Sequence, residues 1–368
     1  MKKQTGKKWS RRSILKAGAA SAAAISTLMF FTHNACAADK SKNYLSKSGK
    51  LAITSLNSVR ISVSDPAASL KWYQETFGLP IQSRNGKNVV LRIGPGPAFL
   101  EINGTPTDKP RYEYLCLTVD KFNADKVQGH LLKEGLTKSK NPGPNQVTLR
   151  KRSADQGGAP EGTPELFLGD PDGLVVQIQD TTYRGGSGLL GNEGPKMAEV
   201  APGTTERPLR IREINHVTVL VSDEPRATKF WSKLFDMPID AYQGPSPLLR
   251  IEPGNQSVVL YDGSTSGVKP YIDHVCLTVD DFNPDRILTV LEKKGLTILG
   301  QAFRAIGPLQ AYVTMRKPDR GGDAVGTAEL YLTDPDGLVI QLQDHRYRGG
   351  CGFLGEHTGT PEYPSDKK

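Results

Sequence analysis

Two histidines in the second half of the chain, His216 and His274, each stand at the head of an apolar β-type run, INHVTVLVSD and HVCLTVD. Strict alternation puts His216 on one face with Thr218 and Leu220, and His274 on one face with Cys276 and Thr278; the valines and leucines between them face the other way, toward a packed helix. A third run, GLVIQLQD, turns Val339, Gln341 and Gln343 to the same polar side. Neutral imidazole nitrogens suit Fe, Zn, Ni and related ions, and only five histidines lie beyond residue 37. A buried polar group without a partner costs about 1–3 kcal/mol, so polar side chains converging from three strands require water, a ligand or a metal. For either histidine alone, a strand-end imidazole bonded to a backbone carbonyl is the structural alternative.

The elements that must position these residues occur twice. The chain lies on itself with an offset of 158 residues at Ser58/His216, 160 at Cys116/Cys276 and 164 at Gln177/Gln341. SVSDPAASLKWYQETFGLPI faces LVSDEPRATKFWSKLFDMPI, and DPDGLVVQIQDTTYRGGSGLLG faces DPDGLVIQLQDHRYRGGCGFLG. So long a period means tandem domains rather than a solenoid, at 50–190 and 211–355, joined by a Gly-, Pro- and charge-rich linker at 191–210 and followed by a polar tail at 356–368. Each domain is long enough for its own core. Within a domain the order repeats again: strand, helix, then about three strands. Asp223 caps a helix whose first turn holds Pro225 and whose apolar stripe is Ala227, Phe230, Trp231, Leu234 and Phe235; a second helix ends at Gly295. The Arg-Gly-Gly turns after the last strand of each copy are read as matching closing loops, with an anion-binding nest as the alternative.

This α+β arrangement, two tandem domains each made of paired βαβββ modules with DPDGLVIQLQ as the last turn and strand, resembles the vicinal oxygen chelate superfamily of glyoxalase I, bleomycin resistance proteins and extradiol dioxygenases. The resemblance implies an open β cup holding a divalent metal, with His216 and His274 as ligands. It places a third ligand at Gln341, where the superfamily usually has glutamate. Losing that carboxylate leaves the site one charge more positive and binds metal less tightly. Tyr331, ten residues before Gln341, has the spacing of an extradiol active-site tyrosine, whereas its counterpart in the first copy is Phe167; an ordinary core aromatic is the alternative. The extradiol acid/base histidine has no equivalent, leaving His345 for proton transfer if the chain folds back after the last strand. In the first domain Ser58 and Tyr114 replace the histidines, and Arg60 and Glu101 are expected to form an ion pair where a metal would sit.

Residues 1–37 carry seven basic residues and no acid, then an alanine-rich apolar stretch and a small-residue site at Ala35-Cys36-Ala37. This reads as a removable export signal, and Ser10 to Lys16 resembles the twin-arginine type, which implies the twin-arginine export machinery as a partner, a periplasmic or otherwise exported destination and no stable membrane anchor. The formal charge of +8 over the whole chain is nearly all in this leader; 40 Lys and Arg against 39 Asp and Glu remain, which removes the case for nucleic-acid binding. Cys116, Cys276 and Cys351 are an odd set, and the first two read as buried free thiols. The expectation is an exported protein using a divalent metal, Fe2+ or Zn2+, on a small substrate with adjacent oxygens. The expected activity is extradiol dioxygenase-like, with a glyoxalase-like lyase or isomerase and a noncatalytic binding protein as the other readings.

Overall fold

The computed structural model describes residues 44–194, 209–264, 267–302 and 307–358. The leader, most of the linker and most of the tail lie outside them. The described residues form two nine-stranded sheets of identical topology, whose strands are labelled β1 to β18 in chain order. In spatial order the first runs Ile81–Asn85, Asn88–Arg92, Phe99–Ile102, Ile53–Ser62, Arg111–Val119, Val175–Asp180, Thr163–Gly169, Gln146–Arg152 and Thr137–Lys138. The second runs Ile239–Gln243, Ser246–Arg250, Ser257–Asp262, Ile211–Val221, Tyr271–Val279, Val339–Asp344, Thr327–Thr333, Gln310–Arg316 and Thr297–Gln301. Each half-sheet is a strand–helix–strands module, as the repeat predicts, except that the second module of each copy gains one short outer strand. In the first copy β1 (Ile53–Ser62) pairs parallel with β4 (Phe99–Ile102) and antiparallel with β5 (Arg111–Val119), which pairs parallel with β9 (Val175–Asp180). In the second, β10 (Ile211–Val221) pairs likewise with β13 (Ser257–Asp262) and β14 (Tyr271–Val279), and β14 with β18 (Val339–Asp344). The two modules of a copy therefore meet along one antiparallel seam, which bends the sheet into a cup.

The helices form where the caps and stripes say they should. Asp65 and Asp223 accept backbone N–H groups at the starts of α1 (Pro66–Phe77) and α3 (Glu224–Leu234), and Asn123 and Asn283 do the same for α2 (Ala124–Lys133) and α4 (Pro284–Lys293). Ala227, Trp231, Leu234 and Phe235 are buried. Among the described residues no helix is long and apolar enough to cross a membrane.

The two cores are not separate, contrary to the one-core-per-domain expectation. A single apolar cluster runs from Leu51 through both sheets to Leu342, because the apolar faces of β1 and β10 lie near one another instead of closing independently. The DPDG turns fasten the junction reciprocally. Tyr73 on α1 donates to Asp334 at 3.1 Å, and Trp231 on α3 faces Asp170 at 3.4 Å; the backbone N–H of Ser64 bonds Asp336, and that of Ser222 bonds Asp172. Each turn thus receives the neighbouring copy's first helix. Burial pushes both Asp170 and Asp334 up to about 6. The Arg-Gly-Gly loops close the sheets as read: Arg152 and Arg316 donate to the carbonyls of Gly186 and Gly350, so these loops present carbonyls, not an anion nest, to the interior.

Candidate metal centre

Register brings the ligand candidates together. One row across the second sheet runs His216, Cys276, Gln341, Tyr331 and Tyr312, and the next holds Thr218, His274 and Val339. His216 and His274 are therefore diagonal neighbours, with ring centroids 5.6 Å apart. The Oε1 of Gln341 lies 3.0 Å from Nε2 of each histidine. All three side chains are buried.

The tautomers follow from the neighbours. Asn215 uses its Nδ2 on the carbonyl of Tyr347, leaving its Oδ1 to accept from His216 Nδ1 at 2.8 Å. Asp273, a carboxylate that can only accept, takes the proton of His274 Nδ1 at 2.7 Å. Both Nε2 atoms then carry lone pairs, and the amide oxygen between them carries two more. Two imidazole nitrogens and one amide group thus meet at a single buried point, each ring 3.0 Å from the amide oxygen, and the Nε2 of Gln341 is buried without a partner. Neutral nitrogen and oxygen donors at this spacing suit a divalent cation, so His216, His274 and Gln341 fit one. Burial, then the proximity of His274, hold His216 well below the usual histidine range and keep it neutral. Among the described residues no three His, Cys, Asp or Glu side chains cluster for a metal; the third donor here is an amide.

Tyr331 stands edge-on to His274 with ring centroids at 5.5 Å, and its hydroxyl donates to Glu329 at 3.2 Å. Burial, then Glu329, push the phenol well above its ordinary value. Glu329 also accepts from Arg316 at 2.7 Å and from Tyr347 at 3.2 Å, and Tyr347 stacks on His216. His345 is not brought to this group. It lines a groove of about 570 Å³ between the copies, with Arg212, Glu213 and Arg92, because the chain turns away after Asp344 to form the closing loop. Sequence reading missed Asn215, Asp273 and Glu329. The signal for the first two was a polar residue directly before each histidine in an otherwise apolar strand.

The first cup shows the same frame without the ligands. Arg60 bonds Glu101 at 3.0 Å, the expected ion pair, and also Glu113 at 2.7 Å; Tyr114 donates to Glu101. Asn57 repeats the bond of Asn215 to the closing loop, donating to Tyr183 O, yet its Oδ1, which faces an imidazole in the other copy, has no partner. Ser58 Oγ and both amide atoms of Gln177 are also buried and unpartnered. Phe99, paired with Ser58, packs on Tyr183 at 5.6 Å, as His216 packs on Tyr347. A phenyl ring from the next strand has filled the space of the missing imidazole. Cys116 and Cys276 are both buried and free.

The fold is shared with solved glyoxalase and dioxygenase structures. The Mn(II)-bound glyoxalase from Novosphingobium aromaticivorans superposes with a TM-score of 0.54 at 16% identity, covering 79% of this chain and 81% of that one. The 2,3-dioxygenase LapB from Pseudomonas sp. KL28 gives 0.55 at 12%, covering 79% and 92%, and homoprotocatechuate 2,3-dioxygenase from Brevibacterium fuscum gives 0.52 at 16%, covering 79% and 81%. Such identities speak for the fold alone. No curated protein matches the sequence. The sequence profile of the Glyoxalase/Bleomycin resistance protein/Dioxygenase superfamily matches residues 213–342, which span the two histidines and Gln341. The C-terminal unit of this chain therefore belongs to the Glyoxalase/Bleomycin resistance protein/Dioxygenase superfamily, and its N-terminal unit repeats the same fold.

Proposed function

We propose that the second cup binds one divalent metal through His216, His274 and Gln341 and acts on a small substrate with adjacent oxygens, in the manner of an extradiol dioxygenase. The observation that carries the proposal is the convergence of two imidazole lone pairs on the amide oxygen, 3.0 Å from each. Such a metal would serve as a Lewis acid toward vicinal oxygens. Tyr331, beside His274, donates its hydroxyl proton to Glu329, which Arg316 holds in place, so the phenol oxygen is left to accept from a substrate hydroxyl. The stacked Tyr331 and Tyr312 rings form an aromatic wall. A cleft of about 550 Å³ between the copies reaches Asp273 and Val339, next to His274, and provides an approach.

Gln341 favours a second reading, a redox-neutral lyase or isomerase of glyoxalase type, since neutral donors leave Zn strongly electrophilic. Export of the folded protein through the twin-arginine route is part of the proposal and rests on the Arg11-Arg12 pair; changing both to lysine should leave precursor in the cytoplasm. The deciding experiment is metal analysis of protein from its native compartment, followed by oxygen uptake with catechols. Iron with catechol-dependent oxygen consumption supports the first reading; zinc or manganese without it supports the second. Full metal content in the His216→Ala/His274→Ala double variant would overturn both.

A further inference from the structure

The neutral amide ligand raises the question of where the missing negative charge has gone. We infer that Asp273 supplies it through His274, as a positioning residue that restores to the metal centre the charge Gln341 lacks; this rests on the metal reading above. The carboxylate accepts from His274 Nδ1 at 2.7 Å and from the Tyr271 hydroxyl at 2.6 Å. A carboxylate on the far nitrogen of an imidazole fixes its tautomer and raises the basicity of the nitrogen that faces the metal.

The first cup provides the internal comparison. Glu113 occupies the position of Asp273, and there the carboxylate lies against Arg60, a cation built into the chain. Arg60 is replaced by Thr218 in the second copy, and its other partner Glu101 by Val259. The second cup thus keeps the acid and loses the resident cation. Its other charges are already matched: Arg250 by Asp240 at 2.7 Å and Arg316 by Glu329 at 2.7 Å. His216 has only the neutral Asn215 on its Nδ1, so the two imidazoles are unequal, and the anionic contribution enters through His274. A charge held one ring away from the metal leaves the face open to substrate neutral, which suits an anionic vicinal-oxygen ligand.

The test is a competition titration of the full chain with Zn(II) against a chromophoric chelator, paired with Co(II) absorption spectra to report the ligand set. Asp273→Asn should weaken Zn(II) about 10- to 100-fold, the range typical of such outer partners, while leaving the Co(II) band pattern in place. Asn215→Asp should not weaken it. Adding Gln341→Glu to Asp273→Asn should return affinity to within a few-fold of the unchanged protein, a rescue that a merely structural role for Asp273 would not produce. Affinity of Asp273→Asn within twofold of the unchanged protein, or failure of rescue with the fold intact by circular dichroism, overturns the inference while the metal centre stands. No stoichiometric Zn(II) or Co(II) on the unchanged protein overturns the metal centre and the inference together.

Discussion

Gln341→Glu is the substitution whose effect the geometry fixes most sharply in the otherwise unaltered chain. The amide oxygen lies 3.0 Å from two imidazole nitrogens, so a carboxylate there would sit at the same point of convergence. A carboxylate attracts a divalent cation more strongly than an amide dipole does, while burying that carboxylate takes back several kcal/mol; the expected net gain is about 1.5–3 kcal/mol, or about 10- to 100-fold tighter divalent metal. The same charge reduces the pull on an anionic substrate. Competition titration with Zn(II) measures the first effect, and substrate affinity on the loaded protein measures the second. Gln177→Glu is the control, because its row offers Ser58 where the second cup has His216, and it should leave metal and substrate affinity unchanged. Equal and unchanged metal affinity for the two variants would show that Gln341 merely lines the cup.

Three further outcomes follow from the structure. Arg60→Met strands Glu101 and Glu113 around a vacated cation, and breaking a buried pair in this way costs about 3–5 kcal/mol; adding Glu101→Gln should recover part of it in urea unfolding. Asp334 and Asp170 are held up to about 6 by burial, above the ordinary Asp value of 3.8. The folded state thus binds their protons more tightly than the unfolded chain, and their contribution is most favourable below about 4 and is lost as pH rises through about 6, by ~3 kcal/mol each. Asp334→Asn, whose Oδ1 can accept the two turn N–H groups while its Nδ2 donates to the Tyr73 oxygen in place of accepting from it, should reduce the stability difference between pH 5 and pH 8; an unchanged difference would refute the assignment. Tyr73→Phe removes the donor to that carboxylate and should cost about 1.5–3 kcal/mol at pH 8 and less at pH 5, where Asp334 is protonated.

The sequence alone determined the duplication, the strand–helix–strands order and the face on which each histidine lies. These are local properties: a two-residue period decides the face of a strand, and Asp223 with Pro225 decides where a helix starts, whatever surrounds them. It also singled out Arg60 and Glu101 as an ion pair, since adjacent parallel strands with opposite charges in the same phase have little else to meet. Tertiary structure alone decided which rows align. The register sets His216 opposite Cys276 and His274 opposite Thr218, and that diagonal is what lets a single amide oxygen reach both rings. The sequence could not show that Asp273 holds His274, because adjacent strand residues are expected to face opposite ways. Nor could it place His345, whose position depends on the closing loop turning outward. The reciprocal fastening of DPDG turns by Tyr73 and Trp231 was equally hidden: it joins groups 261 and 61 residues apart, and only packing the two copies face to face brings them within bonding distance.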